Sequence, residues 1–137
     1  MLDFFQQRFS YIHQLNLSWI AHLTQNDADI PWDIKVSVSQ LLNSQHMALC
    51  GVLDLEIESE LNDVQPEMYW ESLERDNFQQ WMNVFHQFNQ GIQTNVGWLT
   101  PLLFKSLHET AQYIGQLKLL VAQHGLEELD ETLIRVE

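Results

Sequence analysis

The sequence predicts an all-α protein, a four-helix bundle formed by one domain over residues 1–137. Apolar residues recur at intervals of three and four in four separate stretches, which is the spacing of one face of a helix. Only three prolines and five glycines are present to interrupt these stretches. No stretch shows the alternation typical of a strand, and four amphipathic helices can bury their apolar faces only against one another.

The first two helices are separated by a polar stretch and a proline. The first is expected over about residues 3–24, because the polar residues 24–29 end its apolar stripe. The second begins after Pro31, with Asp33 or Ser37 as its N-cap, and is expected to continue to about residue 60. The stripe residues are Phe5, Phe9, Ile12, Trp19, Ile20 and Leu23 in the first helix and Val38, Leu42, Leu49 and Leu53 in the second.

The third helix is expected to begin at Asp76 or Asn77 and carries a mostly aromatic stripe. The segment 67–75 before it is compatible both with a short helix and with an irregular crossing between helices. Residues 93–97 are expected to end the helix. The stripe consists of Phe78, Trp81, Met82, Phe85, Phe88 and Ile92.

The fourth helix has the clearest boundaries. Thr100 can cap it, Pro101 suits the first helical position, where a missing N–H costs nothing, and Gly125 is a natural C-terminal stop. Its stripe consists of Leu103, Leu107, Ile114, Leu117 and Val121. Taken together, the four stripes predict one core that buries Leu42, Leu49, Phe85, Leu107 and Ile114.

The charge balance excludes several classes of partner. Six Lys and Arg residues against nineteen Asp and Glu give a formal net charge of −13, so nucleic acid and anionic membrane surfaces would repel the protein. No stretch approaches the roughly 18 consecutive apolar residues of a membrane-spanning helix. The start of the chain lacks the features of a signal peptide, and a single cysteine, Cys50, leaves no internal disulfide to form. We therefore expect a soluble, cytoplasmic protein that binds neither nucleic acid nor membrane.

The histidines give little support for a known metal motif. None of the six follows a glutamate at the Glu-x-x-His spacing, which excludes a ferritin-like di-iron centre. The sequence from His108 to Gln112 approaches the His-Glu-x-x-His zinc motif, but glutamine is a poor zinc ligand. His46 and Cys50 stand four residues apart and have two interpretations: a nitrogen and sulfur ligand pair, or a half-buried histidine beside a small buried thiol.

Residues 102–117 read Leu-Leu-Phe at one end and Gly-Gln-Leu at the other. In this they resemble, without a gap, the closing helix of the DinB/YfiT-like superfamily, which typically reads L-L-F-H-x-x-N-H-x-x-H-H-R-G-Q-L. Residues 38–42 likewise resemble the I-x-E-L-L pattern that leads into the family's first metal-binding histidine. The resemblance implies a four-helix bundle, often a homodimer, with a divalent metal held by one histidine of the second helix and two of the last.

The family register places Ser44, Glu109 and Tyr113 at the three ligand positions. One branch of the family also has glutamate at the position of Glu109, whereas serine and tyrosine are weak ligands for zinc or nickel. On a helical wheel, His46 lies nearer than Ser44 to the apolar stripe and could replace the lost ligand, while His108 lies on nearly the far side of its helix. The resemblance thus implies a degenerate site whose candidate residues are Ser44, His46, His108, Glu109 and Tyr113, with His46 and Glu109 as the ligands of any zinc or nickel ion.

Two functions are compatible with this pattern. In the first, a DinB-like homodimer binds a small molecule or a partner helix without catalysis, in a pocket left by the degenerate metal site. In the second, the protein is an enzyme, a metal-dependent transferase or isomerase that uses a thiol cofactor, with His46 and Glu109 holding the metal and Tyr113 acting as ligand or proton donor. A homodimer is also expected because the aromatic content exceeds what so small a bundle can enclose.

Overall fold

The computed structural model describes residues 2–25, 29–91 and 97–134 and contains four α-helices within them. No strand occurs in these three ranges, so the predicted all-α, four-helix architecture is confirmed. Two short 3-10 turns, Glu67–Tyr69 and Glu131–Leu133, accompany the helices. The helices are α1 (Leu2–Thr24), α2 (Trp32–Leu53), α3 (Trp70–Asn89) and α4 (Leu99–Gln123).

The helices enclose two clusters of buried side chains, one at each end of the bundle. One cluster combines the start of α1 with the end of α2, the end of α3 and the start of α4. The other combines the opposite ends of the same helices. Helices α2 and α3 therefore run in the same direction, and the segment 54–69 between them has to return along the length of the bundle. Helix α2 packs against both α3 and α4, while α1 packs against α3.

The end of α2 is set by this return. The helix stops at Leu53, not near residue 60 as the sequence indicated. Asp54 adopts a left-handed conformation with a φ of 55°, and the N–H groups of Asp54 and Leu55 both donate to the carbonyl of Cys50. These hydrogen bonds satisfy a carbonyl that the end of a helix leaves free, and they turn the chain back toward the start of α3.

The starts of α2 and α4 differ from the predicted caps. Pro31 occupies the N-cap position of α2, so neither Asp33 nor Ser37 caps it, and Asp33 instead places its negative charge in the first turn. At α4 the N-cap position belongs to Trp98, and Thr100 lies inside the first turn. Both helices begin before the predicted cap, and each has one fully buried apolar residue in its first turn, Ile34 in α2 and Leu99 in α4.

Helix α3 begins at Trp70, so the segment 67–75 is a 3-10 turn followed by regular helix. The indole of Trp70 is fully buried, and its N–H donates to the carbonyl of Gln65 at 2.9 Å, which fixes the start of the helix. The helix ends at Asn89, before the predicted stop. Residues 92–96, which include Ile92 and most of that stop, lie outside the described residues.

The predicted stop of α4 is confirmed. Gly125 has a φ of 67°, a conformation that glycine adopts without strain. Its N–H donates to the carbonyl of Ala122, and the N–H of Leu126 donates to the carbonyl of Val121, both at 3.0 Å. This pair of hydrogen bonds is the Schellman arrangement that commonly ends helices at glycine.

Most of the predicted core is buried. Leu42 and Ile114 belong to one cluster and Leu49 and Phe85 to the other, so the single predicted core is in fact two. Leu107 is half-buried at the edge of the second cluster. In the described parts of the chain, no helix combines the length and the apolar character that crossing a bilayer requires.

Candidate functional site

A cavity of about 400 Å³ lies between α2 and α4. Its volume falls within the range of roughly 300–1,000 Å³ that small-molecule sites occupy. Part of its wall is formed by the segment 54–69, which contributes Ile57 and Leu61. The other lining residues are Ser44, Met47, Ala48 and Gly51 from α2 and Leu102, Lys105, Ser106, Glu109 and Tyr113 from α4. The walls are thus mainly apolar, and the polar groups come mostly from one face of α4.

Gly51 creates part of the open space. It lies in the last turns of α2, where glycine is less favourable than alanine by about 1 kcal/mol. A Cβ atom added at Gly51 would have no atom within 4 Å, so the packing of the chain does not require glycine there. A side chain at this position would therefore extend into open space at the wall of the cavity.

Tyr113 and Ser106 supply hydroxyl groups that make no hydrogen bond to another described residue. Tyr113 is half-buried, and burial, together with the negative charge of Glu109, raises the pKa of its phenol. A phenol with such a pKa is neutral at neutral pH and can donate a hydrogen bond. The hydroxyl of Ser44 donates to the carbonyl of Leu41 at 3.0 Å, which leaves its oxygen free to accept.

Glu109 and Lys105 place one charge of each sign at the cavity. The Lys105 Nζ atom lies 3.8 Å from Glu109 Oε1, too far for a hydrogen bond. The side chain of Lys105 is 71% exposed and that of Glu109 is 33% exposed. The ammonium is therefore largely in solvent, whereas the carboxylate belongs to the wall of the cavity. A pair with this much exposure contributes little to stability.

The structure brings together three of the five predicted pocket residues, Ser44, Glu109 and Tyr113. His108 is exposed on the outer side of α4, as the helical wheel indicated, and does not line this cavity. His46 is also elsewhere: it lines a separate space of about 130 Å³ bounded by α3 and the segment 54–69. The preference for His46 over Ser44 was wrong because α2 packs against both α3 and α4, and the two side chains lie on different sides of the helix.

His46 and Cys50 are in contact, and both hold the returning segment. The Nε2 atom of His46 accepts a hydrogen bond from the N–H of Glu58 at 3.1 Å and lies 3.5 Å from Cys50 Sγ. The Cys50 thiol in turn donates to the carbonyl of Glu56 at 3.4 Å. Burial, followed by the charge of Glu58, raises the pKa of this thiol, so it is protonated at neutral pH and is a poor metal ligand and nucleophile. Of the two interpretations of this pair, the contacts support the structural one.

The donor groups in the cavity do not fit a zinc or nickel ion. One carboxylate, one hydroxyl that already donates to a carbonyl, and one phenol with a raised pKa offer a single good ligand. His46 and Glu109, the two predicted ligands, line different cavities. Over the described ranges, no group of three or more His, Cys, Asp and Glu side chains is placed to hold an ion.

Apart from the cavity, the bundle contains a buried polar cluster around Glu74, which the sequence did not predict. Glu74 is only 1% exposed, and its carboxylate accepts from Asn16 Nδ2 at 2.7 Å and Gln45 Nε2 at 3.1 Å and pairs with His13 Nδ1 at 2.8 Å. The imidazole of His13 also stacks on Phe78, with ring centroids 4.0 Å apart. Glu74 follows the buried Trp70 by four residues, and this spacing is the signal that could have placed it inside the bundle.

The polar face of α4 could also have been recognised from the sequence. Lys105 and Ser106 precede Glu109 by four and three residues, and Tyr113 follows it by four, so all four share one side of the helix. Ile57 and Leu61 had no such signal, because they belong to a segment without regular structure.

Comparisons of the chain with models of protein families, with curated proteins and with solved structures find no match. The similarity to the DinB/YfiT-like superfamily therefore rests on the residues of the second and fourth helices quoted above.

Proposed function

We propose that the protein binds a small amphipathic molecule in the cavity between α2 and α4 and does not catalyse a reaction on it. One observation carries the proposal: a cavity with mainly apolar walls also presents the unpartnered hydroxyl groups of Ser106 and Tyr113. Apolar walls with a few convergent polar groups are typical of ligand sites. The raised pKa of Tyr113 argues against an activated base, and the buried Cys50 thiol does not line the cavity.

The proposed evolutionary origin is a DinB-like bundle whose metal site has degenerated. In the register that the resemblance implies, Ser44, Glu109 and Tyr113 fall at the family's three ligand positions, and these three residues line one cavity. The alternative function, a metal-dependent and thiol-dependent transferase or isomerase, requires a bound ion. Elemental analysis of protein purified without chelators tests it: zinc or nickel near one ion per chain would contradict the non-catalytic proposal.

We further propose that two copies associate through the outer face of α4. Phe104 and Leu119 on this face are 54% and 59% exposed. The helix carries two lysines and one glutamate, 2 − 1 = +1, in a chain of net charge −13, so copies meet there with the least repulsion. Sedimentation should give twice the chain mass of 16.2 kDa. Leu119→Asp should halve the sedimenting mass, and Leu55→Asp, a change at an equally exposed leucine of the returning segment, should not.

Gly51→Leu provides the direct test of the cavity. A leucine at Gly51 would occupy open space, so it should abolish binding without destabilising the fold. Ala21→Leu is the control, because Ala21 is also helical, is exposed on α1 away from the proposed dimer face, and does not line the cavity. Binding of amphipathic fragments is measured by NMR chemical-shift changes at Ser106 and Tyr113. Equal binding by the parent and the Gly51→Leu protein would refute the proposed site.

A further inference from the structure

We infer that the molecule bound between α2 and α4 is a cationic amine with a short apolar body. The inference rests on the proposed function and adds the chemical class of the ligand. It starts from Glu109, whose carboxylate accepts no hydrogen bond from any described residue although about two thirds of the side chain is covered. A carboxylate can accept about four hydrogen bonds, and one that is withdrawn from water without donors is unfavourable. An ammonium group supplies both the charge and the donors that this carboxylate lacks.

The surroundings of Glu109 are suited to the remaining N–H groups of an ammonium. The Ser44 oxygen has a free acceptor position, because its own proton is donated to the carbonyl of Leu41. Tyr113 lies close enough for Glu109 to raise the pKa of its phenol, and the phenol oxygen can accept as well as donate. Beyond these groups the cavity is apolar, with Met47, Ala48 and Leu102 available to contact a hydrocarbon body.

Lys105 is the feature that would favour an anion. Its side chain is 71% exposed, and its ammonium is 3.8 Å from Glu109, so it can turn into solvent at little cost. An anionic ligand would instead have to approach the carboxylate of Glu109 and a protein of net charge −13. The partly covered charge in the wall is negative, and the largely exposed charge is positive. A cation is therefore the favoured ligand.

Three probes of similar size and different charge test this: 2-phenylethylamine, 2-phenylethanol and 3-phenylpropanoate. Titration calorimetry of the full chain at low salt should show the amine binding about tenfold more tightly than the alcohol, which is the effect of one hydrogen bond to a charged group. The propanoate should bind more weakly than the alcohol. Added salt should weaken the binding of the amine and leave the binding of the alcohol unchanged, since only the amine is bound through its charge.

Glu109→Gln should reduce the preference for the amine to less than about twofold, because a neutral amide still accepts a hydrogen bond but no longer attracts the cation. Glu71→Gln is the matched control: Glu71 also pairs with a basic residue four positions away, Arg75, but lies on the exposed face of α3. The control should keep the full preference. An equal loss of preference in both variants would show that overall charge, not Glu109, selects the ligand and would overturn the inference.

The failures of the two proposals are distinguishable. If the alcohol or the propanoate binds at least as tightly as the amine and Gly51→Leu abolishes that binding, the cavity is a ligand site but the amine is the wrong class. If none of the probes binds, or if they bind equally well to the Gly51→Leu protein, both the inference and the proposed function are overturned.

Discussion

Glu74 and Glu109 are two carboxylates of the bundle whose surroundings are opposite. Glu74, between α1, α2 and α3, is 1% exposed and is held by His13, Asn16 and Gln45. Glu109, at the cavity between α2 and α4, is 33% exposed and receives no hydrogen bond from a described residue. The buried carboxylate of Glu74 is part of the structure, whereas the partly covered carboxylate of Glu109 has acceptor positions left for a ligand. The comparison explains why we assign a ligand site to the second region and not to the first.

The largest expected effect is on the first region. Glu74→Ala leaves three buried polar side chains without their shared partner, and loss of one member of such a cluster costs about 3–5 kcal/mol. Urea denaturation followed by circular dichroism measures the change. Glu74→Gln, which keeps the shape and part of the hydrogen bonding, should cost less. A loss below about 1 kcal/mol for Glu74→Ala would mean that the cluster does not hold the helices together.

A smaller effect is expected at the returning segment, residues 54–69. His46→Ala removes the acceptor of the Glu58 N–H, and the loss of one such hydrogen bond costs about 1 kcal/mol. The same change loosens the cover over Cys50, whose thiol donates to Glu56 in that segment. Cys50 should therefore react faster with a thiol reagent in the variant, and an unchanged reaction rate would show that His46 does not hold the segment.

In the second region, removal of the charge should barely affect stability. Glu109→Gln loses only a loose pair with Lys105, so the free energy of unfolding should change by less than about 0.5 kcal/mol. The free energies of unfolding of Glu109→Gln and Glu74→Gln together show the effect of the same chemical change in the two regions. If Glu109→Gln were as destabilising as Glu74→Gln, Glu109 would be a structural residue and the contrast between the regions would disappear.

The smallest effect concerns the phenol of Tyr113. Burial raises its pKa most and the charge of Glu109 raises it further, so Glu109→Gln should lower the pKa while leaving it above the ordinary value. An NMR titration of the tyrosine ring carbons measures the shift. Glu71→Gln, on an exposed face, should leave the pKa of Tyr113 unchanged. A pKa that returns fully to the ordinary value would mean that charge, and not burial, is the main cause.

The parts of the fold that the sequence predicts well are those determined locally. Apolar spacing identifies all four helices, and Gly125 marks the end of α4 because only its own φ is involved. The end of α2 could not be found in this way, since it depends on α3 running in the same direction and on the return that this requires. The apolar stripe of a helix also does not show which neighbouring helix it packs against. The stripe of α2 therefore could not predict that Ser44, and not His46, lines the cavity.

The candidate site was predictable on one helix only. Glu109 and Tyr113 follow from the register that the DinB/YfiT-like resemblance implies for α4, and Lys105 and Ser106 share their face. The other side of the cavity includes Ile57 and Leu61, whose positions depend on tertiary contacts of an irregular segment. Glu74 was not recognised because it lies in the stretch 67–75, whose secondary structure the sequence left open, so its place on the buried face of α3 could not be assigned.

The irregular return between α2 and α3 has a kinetic consequence. Between residues 54 and 66 the chain is held mainly by side chains of α2, such as Asn43, which donates to the carbonyls of Leu61 and Asp63. Such a segment can unfold locally at a lower free-energy cost than the helices beneath it. Such an opening would carry Ile57 and Leu61 away from the cavity while the bundle stays intact. If binding required this opening, the observed rate of binding would reach a limit at the rate of local opening, however high the ligand concentration becomes.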